Sequence, residues 1–146
     1  MKNGWMVAAL AAGMFVAGFA ARDAVSGPEV QAQTADRVFE MRTYVAAPGK
    51  FEALKTRFRD HTLRYFEKHG MTNIGYWIPL DPPASENTLV YILAHQSRDA
   101  AKKSWDSFRA DPGWQQVVKE SQRDGQLLAK PVESVFLAPA DFSPVK

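Results

Sequence analysis

Glu40, Arg42 and Tyr44 occupy alternate positions in the stretch Val38–Val45. The stretch reads as a β-strand, and alternation along a strand puts these three side chains on one face. A carboxylate, a guanidinium and a phenol in one row could line a polar cavity and orient a polar ligand. The same row could also form a self-satisfying network on a wet sheet face, and the residues alone leave both readings open. The opposite row, Phe39, Met41, Thr43 and Val45, is the one suited to a covering layer of helices. Glu40, Arg42 and Tyr44 are therefore expected on the helix-free side, with Glu40 and Arg42 paired.

Other chemistry-bearing residues fall into place around that row. Trp77 and Tyr91 are expected on the same helix-free face, and His95 at the end of the Tyr91 row is expected to reach the cavity rim. His95 is the side chain there able to titrate near neutrality. The candidate ligand-binding set is Glu40, Arg42, Tyr44, Trp77, Tyr91 and His95. No catalytic set is complete. Cysteine is absent, G-x-S-x-G is absent, and the glycines are scattered rather than gathered into a phosphate loop. His61 and His69 stand eight residues apart, which is not a metal-ligand spacing, and H-E-x-x-H does not occur. No metal and no cofactor are expected. His69 before Gly70 reads as a cation at a helix C-terminus. Asp111 reads as a helix cap, and Trp105, Phe108 and Trp114 as core.

The elements that must position these residues follow from periodicity. Phe51, Leu54, Phe58, Thr62 and Tyr65 recur at helical spacing and predict a helix over 49–69, with Pro48 suited to its start and Gly70 to its stop. Strands are predicted at 72–79, with Ile74, Tyr76 and Ile78 sharing a face, at 88–96 and at 131–138. Pro82 and Pro83 mark a loop between the second and third. Ser97 can cap a helix running to about Ala110, and Asp111-Pro112 opens another that ends by Gly125. The order β-α-β-β-α-β predicts an α+β, ferredoxin-like fold: an antiparallel four-stranded sheet with helices on one face. The helix-free face is then too apolar to stay wet. A second copy of the chain is the simplest cover, so a homodimer forming a two-sheet α/β barrel is expected.

Composition bounds the partners. A chain of 146 residues is about one domain. The net charge of +2 comes with no Lys/Arg block, so nucleic acid is not indicated. Lys2 precedes Trp5–Ala21, an apolar run of 17 residues. That is the pattern of an export signal, and 17 residues is also the short limit of a membrane span. Residues 1–32 are expected to be a signal for a periplasmic or secreted product, or an anchor through 5–21. A linker follows at 33–37, the folded domain at 38–138 and a loosely held tail at 139–146.

Five short motifs in order carry a resemblance to a family. Glu40-x-Arg42-x-Tyr44, Pro48-Gly49-Lys50, His69-Gly70, Gly75-Tyr76-Trp77 and Asp111-Pro112-x-Trp114 together resemble the NIPSNAP domain over residues 37–138. The resemblance implies the dimeric α/β-barrel fold. It brings no secure function: animal members are linked to vesicle or mitochondrial roles, and the wider superfamily includes small monooxygenases and ligand-binding proteins. Many members carry His-x-Trp in the third strand where this chain has Tyr91 and Leu93, so chemistry resting on that His is in doubt here. The expected function is an exported, dimeric module that binds a small molecule or a protein. The alternative is a cofactor-free monooxygenase- or isomerase-like enzyme.

Overall fold

The structure, a computed structural model, describes residues 37–146. The expected export signal or anchor at 1–32 and nearly all of the linker lie outside the described residues. The signal-peptide, secretion and periplasmic expectations rest wholly on that outlying segment and gain no support from the described fold. Among the described residues, no helix is long and apolar enough to cross a membrane.

Strand β1 (Val38–Val45) leads through Gly49, at φ +73°, into α1 (Phe51–Arg57), a π turn (Phe58–Thr62) and α2 (Leu63–Lys68). β2 (Thr72–Trp77) and β3 (Thr88–His95) follow, then α3 (Arg98–Ala110), α4 (Pro112–Ser121) and β4 (Glu133–Leu137). Ser97 caps α3, its side chain accepting from the Ala100 N–H, and Asp111 caps α4, accepting from Gly113 and Trp114. Both are the residue types that satisfy otherwise orphaned N–H groups at a helix start.

The sheet order is β2-β3-β1-β4 with every pairing antiparallel, as the ferredoxin-like order requires. The expected closure into an α/β barrel is not found. β2 and β4 are the two edges of an open sheet, paired only to β3 and β1. Closure would need both edges to bond to further strands, and among the described residues neither does. Four short strands twist without bringing their outer edges together.

A second correction concerns the faces. Glu40, Arg42 and Tyr44 point into the helix layer, not away from it. In register they oppose Leu93, Tyr91 and Leu89 of β3, all buried in the main core. That core joins these residues to Leu54, Phe58, Phe66, Trp105, Phe108 and Trp114. Alternation correctly groups a row, but it does not say which row meets the helices. The polar row can turn inward because Trp105 of α3 and neighbouring strand side chains, Ser134 and His95 among them, partner it there. Phe39 and Ile92 turn outward and meet Ile74, Trp77, Leu137 and the C-terminal tail around a cavity of about 520 Å³.

β2 departs from simple alternation at a bulge between Asn73 and Gly75. The extra residue carries Ile74 to the open face and leaves Asn73 and Tyr76 together on the helix side, where the Tyr76 hydroxyl donates to Asn73 Oδ1. The tail makes exposed hydrogen bonds to the start of the domain and within itself. Arg37 Nη1 donates to the Lys146 carbonyl at 2.6 Å, and Lys146 Nζ donates to the carbonyl of Asp141 at 2.7 Å.

Candidate functional site

Glu40 sits at the centre of β1 with 2% of its surface exposed, so its charge must be met by the protein. Four elements meet it. The Trp105 indole of α3 donates to Oε2 at 2.6 Å, and His95 Nε2 of β3 lies 3.1 Å from the same oxygen. The Ser134 hydroxyl of β4 and Arg42 Nη1 of β1 each donate to Oε1 at 2.6 Å. Burial alone would raise the Glu40 pKa. Hydrogen bonds from His95, Ser134, Trp105 and Arg42 outweigh it and hold the group at about 2, below its usual 4.5. Glu40 is thus a fixed carboxylate with both oxygens occupied.

Arg42 is aimed by this carboxylate. Its Cζ lies 4.2 Å from the centre of the Trp105 ring and 5.9 Å from that of Tyr44. Burial works against the guanidinium charge, but the Tyr91 and Tyr44 phenols and Glu40 push its pKa above its ordinary value. Tyr44 and Tyr91 stand edge to face, with ring centres 5.3 Å apart, and Phe58 packs on both. Burial and the neighbouring Tyr44 raise the Tyr91 pKa well above normal, so it stays a proton donor at neutral pH. Among the described residues, Arg42 Nε and the Tyr91 hydroxyl are buried without a hydrogen-bond partner, although Tyr44 and Arg42 are close by. The arrangement offers an oxyanion a guanidinium and a phenol, both held in place.

Five of the six expected site residues come together here: Glu40, Arg42, Tyr44, Tyr91 and His95. Trp77 does not, because it lies half-exposed on the open face. His95 is not at a rim. Its side chain is fully buried behind Glu40, with Nδ1 unpartnered among the described residues. Trp105 and Ser134 belong to the network, and sequence reading assigned them no part in it. Trp105 is core, as its helical spacing predicts, but a buried indole also needs an acceptor. Ser134 could be placed only once β4 was registered against β1, where it faces Arg42.

His69 makes a different joint. Its ring nitrogens lie 2.7 Å from Ser107 Oγ and 2.8 Å from Asp111 Oδ2, so it clips the end of α2 to the α3–α4 corner. Asp111 also accepts from Lys68. Hydrogen bonds from Lys68 and His69 hold its carboxyl well below the usual range. Among the described residues, no group of acidic or His side chains could hold a metal ion.

Residues 39–144 match the NIPSNAP family model. No curated protein matches the chain. Among solved structures, a NIPSNAP-family protein of unknown function from Agrobacterium tumefaciens is 27% identical, with a TM-score of 0.64 over 76% of this chain and 95% of that one. An uncharacterised NIPSNAP domain protein from Burkholderia xenovorans is 26% identical, with a TM-score of 0.61 over 73% of this chain and 98% of that one. SnoaB, a cofactor-independent oxygenase from Streptomyces nogalater, is 19% identical, with a TM-score of 0.46 over 75% of this chain and 99% of that one. That last likeness is loose.

Proposed function

The chain belongs to the NIPSNAP family, and from the donors in its interior we propose that it binds an acidic planar small molecule as the phenolate or enolate, as a cofactor-free monooxygenase- or isomerase-like enzyme would. The observation that carries this reading is Arg42 Nε, a buried donor without a partner among the described residues, beside the buried Tyr91 hydroxyl, whose polar neighbours are Tyr44 and Arg42. A buried polar group left unpaired costs about 1–3 kcal/mol, and more if charged, so an arriving oxyanion relieves a cost the protein already bears. Donors fixed before the anion arrives stabilise developing negative charge without reorganising. Glu40 supplies the fixing. It occupies Arg42 Nη1 and the Trp105 indole, and Arg42 Nε remains without a partner among the described residues.

Glu40 is not the base in this scheme, because its oxygens are engaged and its pKa is about 2. The substrate must arrive ionised or lose its proton to water, which suits compounds already acidic near neutrality. That lack of a free base favours a second reading, in which the domain binds its ligand and does no chemistry.

4-Nitrophenol tests the site, since its anion absorbs visibly and its neutral form does not. Binding to the wild type should lower the apparent pKa of the probe and bring out the phenolate band. Arg42→Lys keeps the charge but loses the planar fork, and Tyr91→Phe loses one hydroxyl; each should weaken binding about tenfold, or 1.4 kcal/mol. Preference for the neutral form, or unchanged binding in both variants, would overturn the anion site. Oxygen uptake with a panel of naphthols then separates turnover from binding alone.

A further inference from the structure

The π turn makes a second feature that the Glu40 network does not use. The Leu63 N–H bonds to the Phe58 carbonyl, five residues back, and the Thr62 hydroxyl donates to the Arg57 carbonyl at 3.1 Å. The widened turn interrupts an otherwise continuous helix, and such turns cluster at functional sites. Arg57 and His61, four residues apart around this turn, both face α4 across a cavity of about 320 Å³. Val117, Glu120 and Ser121 of α4 form the opposite wall, and Ala53 and Thr56 complete it on the α1 side.

Arg57 is 8% exposed, yet among the described residues it forms no salt bridge. Its protein contacts are weak ones. Nη1 reaches Ser121 Oγ at 3.4 Å, and Cζ lies 5.6 Å from the centre of the Trp114 ring. Arg57 Nε and His61 Nδ1 are buried and have no partner among the described residues. Burial lowers the Arg57 pKa, with the Tyr44 and Tyr91 phenols acting the other way. A buried guanidinium without a counter-ion is unfavourable, and a carboxylate matches its planar fork.

We propose that the cavity between the π turn and α4 is a carboxylate-binding site, in which Arg57 and His61 hold the ligand's carboxylate while Ala53 and Val117 flank its apolar part. Glu120 sets the charge the site accepts. It lines the cavity while bonded to Gln116, and its negative charge disfavours a dianion more than a monoanion. The ligand class is a small monocarboxylic acid with an apolar body, and the dianion of inorganic phosphate is disfavoured. The site stands whether or not Arg42 and Tyr91 bind a phenolate.

Benzoate is the probe, with benzamide as its uncharged isostere and inorganic phosphate as the dianion. Titration of the full chain by NMR should shift the His61 ring signals with benzoate, at least about tenfold more tightly than with benzamide or phosphate. Arg57→Lys should weaken benzoate about tenfold and His61→Phe severalfold. Equal binding of benzoate and benzamide, no shift at His61, or full affinity in both Arg57→Lys and His61→Phe would overturn the proposal. Should Arg57→Lys fail to fold, His61→Phe and the benzamide comparison decide it.

Discussion

A carboxylate that accepts from Trp105, Ser134 and Arg42, with His95 against it, acts as a permanent charge around which donors are arranged. Its effect on stability has a definite sign. Glu40 titrates at about 2 in the fold against 4.5 ordinarily, so the unfolded chain binds this proton more readily. The stabilisation is therefore complete above about pH 4.5 and is lost as pH falls from there through 2. Urea melts across that window should show a steep acid loss in the wild type that Glu40→Gln lacks. At pH 7 the same variant leaves Arg42 without its counter-charge and should cost roughly 3–5 kcal/mol. A cost below about 1 kcal/mol would mark the pair as solvent-like. At this scale the sequence was half legible. Alternation in Val38–Val45 grouped Glu40, Arg42 and Tyr44 and paired the two charges. It could not show that the row turns toward the helices or that Trp105 and Ser134 partner it, because these lie 65 and 94 residues away along the chain.

Among the elements, the helix after β1 was readable from its apolar stripe. The structure buries Leu54, Phe58 and Thr62, while Phe51 and Tyr65 are only partly buried. The buried aromatic of the last turns is Phe66, which the stripe did not include. Phe58 is the keystone of that stripe, with its ring within 6.4 Å of those of Tyr44, Phe66, Tyr76 and Tyr91, centre to centre. Phe58→Ala should destabilise the fold by roughly 3–5 kcal/mol in a denaturant melt, with the unfolding slope unchanged. A loss under about 1 kcal/mol would mean that the aromatic cage refills the space. The π turn was not legible. The apolar positions of a helix that is widened by one residue still recur at three- and four-residue steps, so the pattern does not register the extra one. Nor was the β2 bulge, which moves Ile74 away from Tyr76 while leaving the residue types of a plain alternating strand.

Across the whole molecule, the open sheet leaves one apolar face, and the tail crosses it. Ile74, Trp77, Val135 and Leu137 stay substantially exposed there, beside a tail whose Phe142 is itself exposed. Removing Pro139–Lys146 should increase binding of an apolar dye and shift Trp77 fluorescence to the red. Since the bared face is alike on every copy, sedimentation should also move toward dimers. If dye binding and emission do not change, the tail does not shield the face. The order of elements gave the layer arrangement, because β-α-β-β-α-β leaves few ways to pack. It could not give closure, which depends on whether sheet edges meet. The sheet order has one more consequence, for the making of the chain. β1, the first strand, lies between β3 and β4, and β4 is the last element to be synthesised. Until residues 133–137 clear the ribosome, one side of β1 has no neighbour and Glu40 lacks Ser134. Between the synthesis of β3 and that of β4 the nascent protein therefore carries a half-paired central strand, and the interior network closes only with β4.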